Sequence, residues 1–499
     1  MSTTTFTPSA EALEFIQRQH KFLIGDQWLR AEDGSTLDVV DPSNGEKITE
    51  IPNGNKLDID RAVNMARQTF DDSPWSRIKP VDRQKLLWNF ADLIEKNASL
   101  LAEIEATDNG KSIVIAEHVD IRVAIDFLRY MAGFATKIEG RSVDVSLPFM
   151  PDSQFHGFTR REAVGVVGAI VAWNFPLLLA CWKLGPALAT GCTIVLKPAE
   201  DTSLTALKLA ELALEAGYPP GVVNVVTGTG ERAGSALTKH PEVDKLTFTG
   251  STGIGKMIGK IAMENMTRVT LELGGKSPTI VLEDADLETA AAGAANAIFF
   301  NQGQVCCAGS RLYVQKKIFD NVVADISDIA NNMTLGAGLD PNAQMGPLVS
   351  SIQQARVCDY INQGIKSGAT ITAGGGALQG PGFFVKPTIM VDVDQNSSVV
   401  KEEIFGPVLV AMPFDDIDDA VRIANDSQYG LGASIWSNNL SAVHRMVPRI
   451  KAGSVWVNCH SALDPALPFG GYKQSGLGRE MGSEVIDHYT EVKSVLMSI

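Results

Sequence analysis

The sequence predicts an α/β protein of two sheet-containing units with a small β element attached. Three observations carry this. Residues 164–282 alternate apolar runs of strand length with segments whose apolar residues recur at helical spacing. A second alternation of the same kind starts near residue 286. Two further segments, 141–162 and the C-terminal tail, fit neither unit. A chain of 499 residues is long enough for roughly three domains and can bury large cores.

In the first unit, "VGVVGAIVA" (164–172), "TIVLKP" (193–198), "GVVNVVTG" (221–228), "VDKLTFTG" (243–250) and "RVTLELGG" (268–275) read as strands. Between them "LLLACWKLGPALATG", "SLTALKLAELALEAG", "ERAGSALTKH" and "GKMIGKIAMENM" read as helices, the second closed by Gly217. Continuously apolar strands alternating with helices predict a parallel sheet covered on both faces. Ligands of such sheets bind at the carboxyl ends of the strands. That singles out Trp173, Asn174, Lys197, Gly228, Gly250, Ser251 and Glu272.

In the second unit "DLETAAAGAANAIFFNQ" (286–302) reads as a small-residue helix. "SRLYVQ", "ATITAGG", "VKPTIMVDV", "GPVLVAMPF", "GASIWS" and "GSVWVN" read as strands, with "DDAVRIANDS" and "LSAVHRMVPRI" as intervening helices. Residues 141–162 begin with period-two alternation and contain Pro148 and Pro151, and "HYTEVKSVLMSI" (488–499) is strand-like. Neither forms a stable sheet alone, so the tail is expected to pair with an edge in a second subunit.

Composition narrows the partners. Lys and Arg number 43 against 58 Asp and Glu, a net charge of -15 without clustered basic residues. Nucleic acid and anionic membranes are therefore not expected partners. The longest apolar run, "VVGAIVAW" (166–173), is far shorter than the ~20 residues of a membrane helix. The six cysteines show neither disulfide-framework nor zinc-ligand spacing, so no metal is expected and a reducing cytoplasm is. The N-terminal stretch has neither the basic start nor the apolar core of a secretory signal.

"FFNQGQVCCAGSR" (299–311) raises the question of chemistry. Cysteine is soft, nucleophilic and partly ionised near neutral pH. Gly303, Ala308 and Gly309 let backbone and substrate approach closely. Adjacent side chains diverge, so one of Cys306 and Cys307 faces a given cleft; the spacing does not say which. A cysteine nucleophile needs a base and an oxyanion partner. Glu272 ends an apolar strand before two glycines and could be the base; Asn174 ends another and could donate to an oxyanion. "FTGSTGIGK" (248–256) follows a strand and opens a helix, as phosphate-binding turns do, but has Thr252 where a dinucleotide fingerprint has its second glycine. "LKPAE" (196–200) sets Lys197 and Glu200 just beyond a strand; a carboxylate there accepts from a ribose and repels a 2′-phosphate, favouring NAD over NADP.

Together with "WNFP" (173–176), "LELGGKSP" (271–278), "EEIFGPV" (402–408) and "PFGGYKQSGLGRE" (468–480), these motifs resemble, in order and over nearly the whole chain, the NAD(P)-dependent aldehyde dehydrogenases. The departure is Ala172, where many members have proline. The resemblance implies a Rossmann-type cofactor domain (1–140 and 161–272), an α/β catalytic domain (273–480), a β oligomerisation element (141–160 and 481–499) and a homotetramer built as a dimer of dimers. It selects Cys306 as nucleophile, Asn174 with the Cys306 N–H as oxyanion site, and Glu272 as the base that hydrolyses the thioester. It assigns Lys197 and Glu200 to the adenosine ribose of NAD, Gly250, Ser251 and Gly255 to the pyrophosphate, and Glu403 and Phe405 to the nicotinamide side. Val171, Trp173, Gly230 and Leu273 complete the cofactor surface.

By the same resemblance Phe175, Leu178, Leu179, Trp182, Phe300, Val305, Leu463 and Phe469 line the substrate funnel, without carboxylate or arginine. That suits an uncharged aromatic or bulky aliphatic aldehyde. "FIQRQHKFLIGDQW" and "WVNCHSALDPALPFGGYKQSG" look similar to bacterial phenylacetaldehyde dehydrogenases, implying oxidation of phenylacetaldehyde to phenylacetate in aromatic catabolism. A broad-specificity or amino-aldehyde dehydrogenase is the alternative. A non-catalytic protein that kept the fold would have lost Cys306, Glu272 or Asn174, and a cysteine ester hydrolase would work without NAD.

Overall fold

The computed structural model describes residues 6–499; residues 1–5 of the stretch read as lacking a signal lie outside the described residues. Two large sheets dominate. The first has eight strands, and five of them run parallel in the spatial order Arg268–Glu272, Lys245–Thr249, Val166–Ile170, Thr193–Lys197, Val223–Val225. These are the five strands expected from the alternation. Short antiparallel strands extend the edges: Gly476–Leu477 on one side, Phe22–Ile24 and Gln27–Leu29 on the other. The sheet is thus parallel in its middle and mixed at its edges, because the edge strands come from distant segments with no α/β alternation of their own.

From Val166–Ile170 the chain builds outward in one direction, then returns to add Lys245–Thr249 and Arg268–Glu272 on the other side. The order reverses between Val166–Ile170 and Lys245–Thr249, and such a switch leaves a crevice at the carboxyl ends of the strands. The helix Pro176–Thr190, buried along its whole length, opens with proline at its first position and ends at Gly191 with φ +94°.

The second sheet has seven strands and is parallel apart from the edge strand Thr370–Ala373. Its inner strand Pro278–Val281 went unread, since it is only four residues long. Cys306 and Glu403 stand just before the amino ends of Arg311–Gln315 and Val408–Phe414, facing the carboxyl ends of the first sheet.

The third sheet corrects one expectation. The tail Thr490–Ser498 runs antiparallel to Phe155–Ala163 over all nine of its residues, and Ser142–Val143 pairs on the far side. The edge that the tail needs lies in its own chain, because the two segments are long enough to satisfy each other's backbone groups. Its outer edge has no strand partner among the described residues. Among the described residues no helix is long and apolar enough to cross a membrane.

Candidate active site

A cavity of about 570 Å³ lies where the two sheets meet. From the first sheet come Trp173 and Asn174, Gly250 and Ser251, and Glu272 with Leu273. From the second come Val305, Cys306, Cys307, Glu403 and Phe405. All eight residues placed in the funnel line it.

The turn that carries Cys306 is built under strain. After the helix Leu287–Phe299 the backbone turns left-handed at Asn301 (φ 48°), Gln302 (φ 59°) and Gly303 (φ 69°). Two consecutive non-glycine residues in this region persist only where the surroundings over-determine them. Here they do. The Asn301 amide donates to the Asn174 oxygen at 3.0 Å, the Gln302 amide donates to the Pro347 oxygen at 2.8 Å, and Gln304 accepts from the Val349 N–H at 3.1 Å. A Cβ on Gly303 would meet the Gly406 oxygen at 2.1 Å.

The two cysteines diverge. Cys306 is half-buried on the cavity wall, while Cys307 is 3% exposed with its sulfur 3.5 Å from the Ser461 hydroxyl. Contact with the Cys307 thiol, burial, and the nearby carboxylates of Glu272 and Glu403 push the Cys306 thiol up. The main-chain N–H of Cys306 makes no main-chain hydrogen bond. Asn174 donates one amide hydrogen to the Gln304 oxygen at 2.9 Å, leaving the other for the cavity.

Glu272 is 4% exposed, and neither carboxylate oxygen has a hydrogen-bond partner among the described residues. Burial raises its pKa well above the usual range, and the Glu480 carboxylate adds to this; Lys183 and Arg479 oppose. Lys183 and Glu480 form a fully buried pair at 2.6 Å behind it. Glycines clear the space: a Cβ on Gly470 would lie 2.8 Å from the Glu272 Oε1, and one on Gly274 would lie 2.3 Å from the Glu403 Oε2. The Gly275 N–H donates to Glu403 at 2.9 Å, while burial holds Glu403 up at about 7.

Five residues expected at the cofactor lie outside the cavity. Lys197 donates to the Gly228 oxygen at 2.7 Å and to Glu200 at 3.1 Å. Burial pushes the Glu200 pKa up, but Lys197 and the backbone N–H groups outweigh it and the net shift is down. The Gly230 N–H points to the other Glu200 oxygen at 3.4 Å. Glu200 remains 42% exposed, so its carboxylate is reachable. Val171 is core, 3% exposed. At Gly255 a Cβ would meet the Leu273 side chain at 2.2 Å, so the glycine lets helix and strand end approach closely. Ser251 caps the helix Thr252–Glu264, accepting from the Ile254 N–H at 3.4 Å.

The strip from Glu200 past the amino end of that helix to Glu403 offers what a dinucleotide needs. It has a reachable carboxylate for a ribose, a helix N-terminus for phosphates and a buried carboxylate beside the nucleophile. Trp173 and Phe405 meet edge to face at 5.1 Å.

The funnel walls are aromatic: Phe175 stacks on Phe300 at 6.4 Å, and Trp182 lies 5.5 Å from Phe469. The expectation of a wall without carboxylate or arginine needs correcting, because Asp120 and Arg356 also line the cavity. Asp120 is fully buried and ion-paired with Lys111. Arg356 donates to the Glu403 main-chain oxygen at 2.7 Å.

His460 was missed, although it lies in a quoted motif. It bridges Ser434 (3.0 Å) and the Cys307 oxygen (2.9 Å), and burial lowers its pKa to about 4. Lys111 and Asp120 left no signal, since a nine-residue separation matches no motif. Among the described residues no group of His, Cys, Asp and Glu could hold a metal ion.

The profile of the Aldehyde dehydrogenase family matches residues 28–495. The phenylacetaldehyde dehydrogenase of Pseudomonas fluorescens is 48% identical over 496 residues, 99% of each chain. The mitochondrial aldehyde dehydrogenase of Rattus norvegicus is 45% identical over 482 residues, 96% of this chain and 92% of that one. Among solved structures, the NAD+ complex of an aldehyde dehydrogenase from Bacillus cereus superposes with a TM-score of 0.97 at 46% identity, covering 99% of this chain and 100% of that one.

Proposed function

Since the chain belongs to the aldehyde dehydrogenase family, we propose that it oxidises phenylacetaldehyde to phenylacetate with NAD and water. The observation that carries the chemistry is the convergence of Cys306, Asn174 and Glu272 on one cavity beside the cofactor strip. The Cys306 thiol loses its proton to solvent, and the sulfur attacks the aldehyde carbon, forming a C–S bond. The free amide hydrogen of Asn174 and the Cys306 N–H donate to the resulting oxyanion. Bound NAD supplies the hydride acceptor, so collapse of the adduct leaves a thioester on Cys306. Glu272 then takes a proton from water, whose oxygen attacks the thioester carbon. The C–S bond breaks, the free acid departs, and the proton held by Glu272 passes to the sulfur, restoring the thiol and the carboxylate. Lys197 and Glu200 would hold the adenosine ribose, and Glu403 would orient the nicotinamide ribose.

The substrate assignment is supported by the aromatic walls and by the 48% identity to the Pseudomonas fluorescens enzyme. A broad-specificity or amino-aldehyde dehydrogenase is the second reading, favoured by the nearly equal identity to the rat enzyme and by Asp120 on the wall. Assembly as a dimer of dimers through the open edge of Thr490–Ser498, where Val492 and Leu496 are exposed, belongs to the same proposal. So does a cytoplasmic location, supported by six free cysteines.

The test follows nicotinamide reduction with phenylacetaldehyde, acetaldehyde and a betaine-type aldehyde, each with NAD and with NADP. The highest kcat/KM is expected for phenylacetaldehyde with NAD. A higher value for either other aldehyde would overturn the substrate and keep the chemistry. Ester hydrolysis without aldehyde oxidation would overturn both.

A further inference from the structure

The segment from Glu105 to Asp120 takes no part in the reaction above, yet it carries a fully buried ionic cluster that ends on the Asn174 peptide. Lys111 donates to the Asn174 main-chain oxygen at 2.9 Å and to Asp120, and lies 3.1 Å from the Glu105 Oε1. All three side chains are 0% exposed. The ammonium also sits 4.4 Å from the centre of the Phe175 ring. Neighbouring groups hold the same turn: Glu105 accepts from the Leu177 N–H at 3.2 Å, and the Asn109 amide donates to the Trp173 oxygen at 2.7 Å. Residues 173–177 are thereby pinned from one side by residues 105–111.

We propose that Lys111 is a positioning residue, whose ammonium clamps the Asn174 peptide so that the amide side chain is aimed at the oxyanion formed on Cys306.

Two features support this beyond the contact. A buried ion pair is a weak source of net stability, so a cluster kept at this turn is better explained by geometry. The Asn174 oxygen is also shared with Asn301, which belongs to the strained turn preceding Cys306. Lys111 thus acts on an atom through which the oxyanion residue and the nucleophile turn are joined.

The proposal rests on the site reading given under the function, and the test separates the two. Turnover of phenylacetaldehyde with NAD is measured for Lys111→Met, Asn174→Ala and the double variant, with NAD binding measured alongside. Lys111→Met should lower kcat by about tenfold or more while NAD affinity stays put, since small misplacements near the reacting atoms are costly. In the Asn174→Ala background the same change should cost less than about twofold, because its route to the oxyanion is gone. Equal losses in both backgrounds would overturn the proposal alone. Full activity in Asn174→Ala would overturn the site reading and the proposal with it. Lys111→Met leaves two buried carboxylates uncompensated, so Lys111→Met with Glu105→Gln and Asp120→Asn is run in parallel; the glutamine oxygen can still accept from Leu177. Failure of both variants to fold would assign Lys111 to folding and overturn its positioning role.

Discussion

Gly275 lies directly against Cys306: a Cβ on it would fall 2.2 Å from the Cys306 main-chain oxygen, with the Leu431 Cβ at 3.2 Å on another side. The obstructing atom is backbone, so no rotamer change relieves the clash. The Gly275 N–H also holds Glu403. Gly275→Ala should therefore displace the nucleophile turn and lower turnover by roughly a hundredfold, as misplacement at a reacting centre does. Steady-state rates with a thermal melt check this; wild-type rates would show that the turn can yield.

Cys306→Ala should abolish aldehyde oxidation, and Cys307→Ala should not, because the Cys307 sulfur is buried against Ser461. Comparable losses in the two variants would show that the choice between the neighbours is wrong.

Glu272 must be ionised to take a proton from water, yet burial holds its folded pKa well above 4.5. Turnover should therefore rise with pH across a carboxyl group that titrates above the usual range. Glu272→Gln should lack that limb and stop after about one reduced nicotinamide per site, the thioester no longer being hydrolysed. The stability contribution runs the opposite way with pH. A raised folded pKa means the native state binds the proton more tightly, so the contribution is complete below the unfolded value and is lost as pH rises through the folded one. Unfolding of wild type and Glu272→Gln across pH measures it.

Glu200→Gln removes the charge that Lys197 holds at the adenosine end. KM for NAD should rise about tenfold, the worth of a charge-assisted hydrogen bond, and the preference over NADP should narrow. An unchanged ratio of the two cofactors would place the discrimination elsewhere.

Ending the chain at Tyr489 strips Phe155–Ala163 of its nine-residue partner and removes the open edge. Light scattering should show a smaller assembly than the full chain forms. An unchanged mass would exclude the tail as the association surface.

Much of this molecule was legible in the sequence. The parallel strands of the first sheet stood out because four of the five are buried throughout and Arg268–Glu272 is buried from Thr270 onward. The strand Pro278–Val281 was hidden by its shortness. The edge strands were hidden because pairing partners such as Leu271 and Leu477 lie far apart in the chain. Asp120 escaped because a single turn of π-helix carries it to the wall, and the pattern of its neighbours does not reveal that.

The sequence by itself determined the order of the elements, the identity of the reactive groups and the family resemblance. All of these depend on local pattern: periodicity, capping glycines, and motifs a few residues long. The tertiary structure alone decided how deeply each of the two adjacent thiols is buried, that Gly255 packs against Leu273, and that the tail finds its edge at home. It also decided that Lys111 reaches the Asn174 peptide across 63 residues. The physical reason is the same in each case. A side chain's direction and surroundings follow from the packing of segments distant in sequence, and local pattern carries no record of that packing.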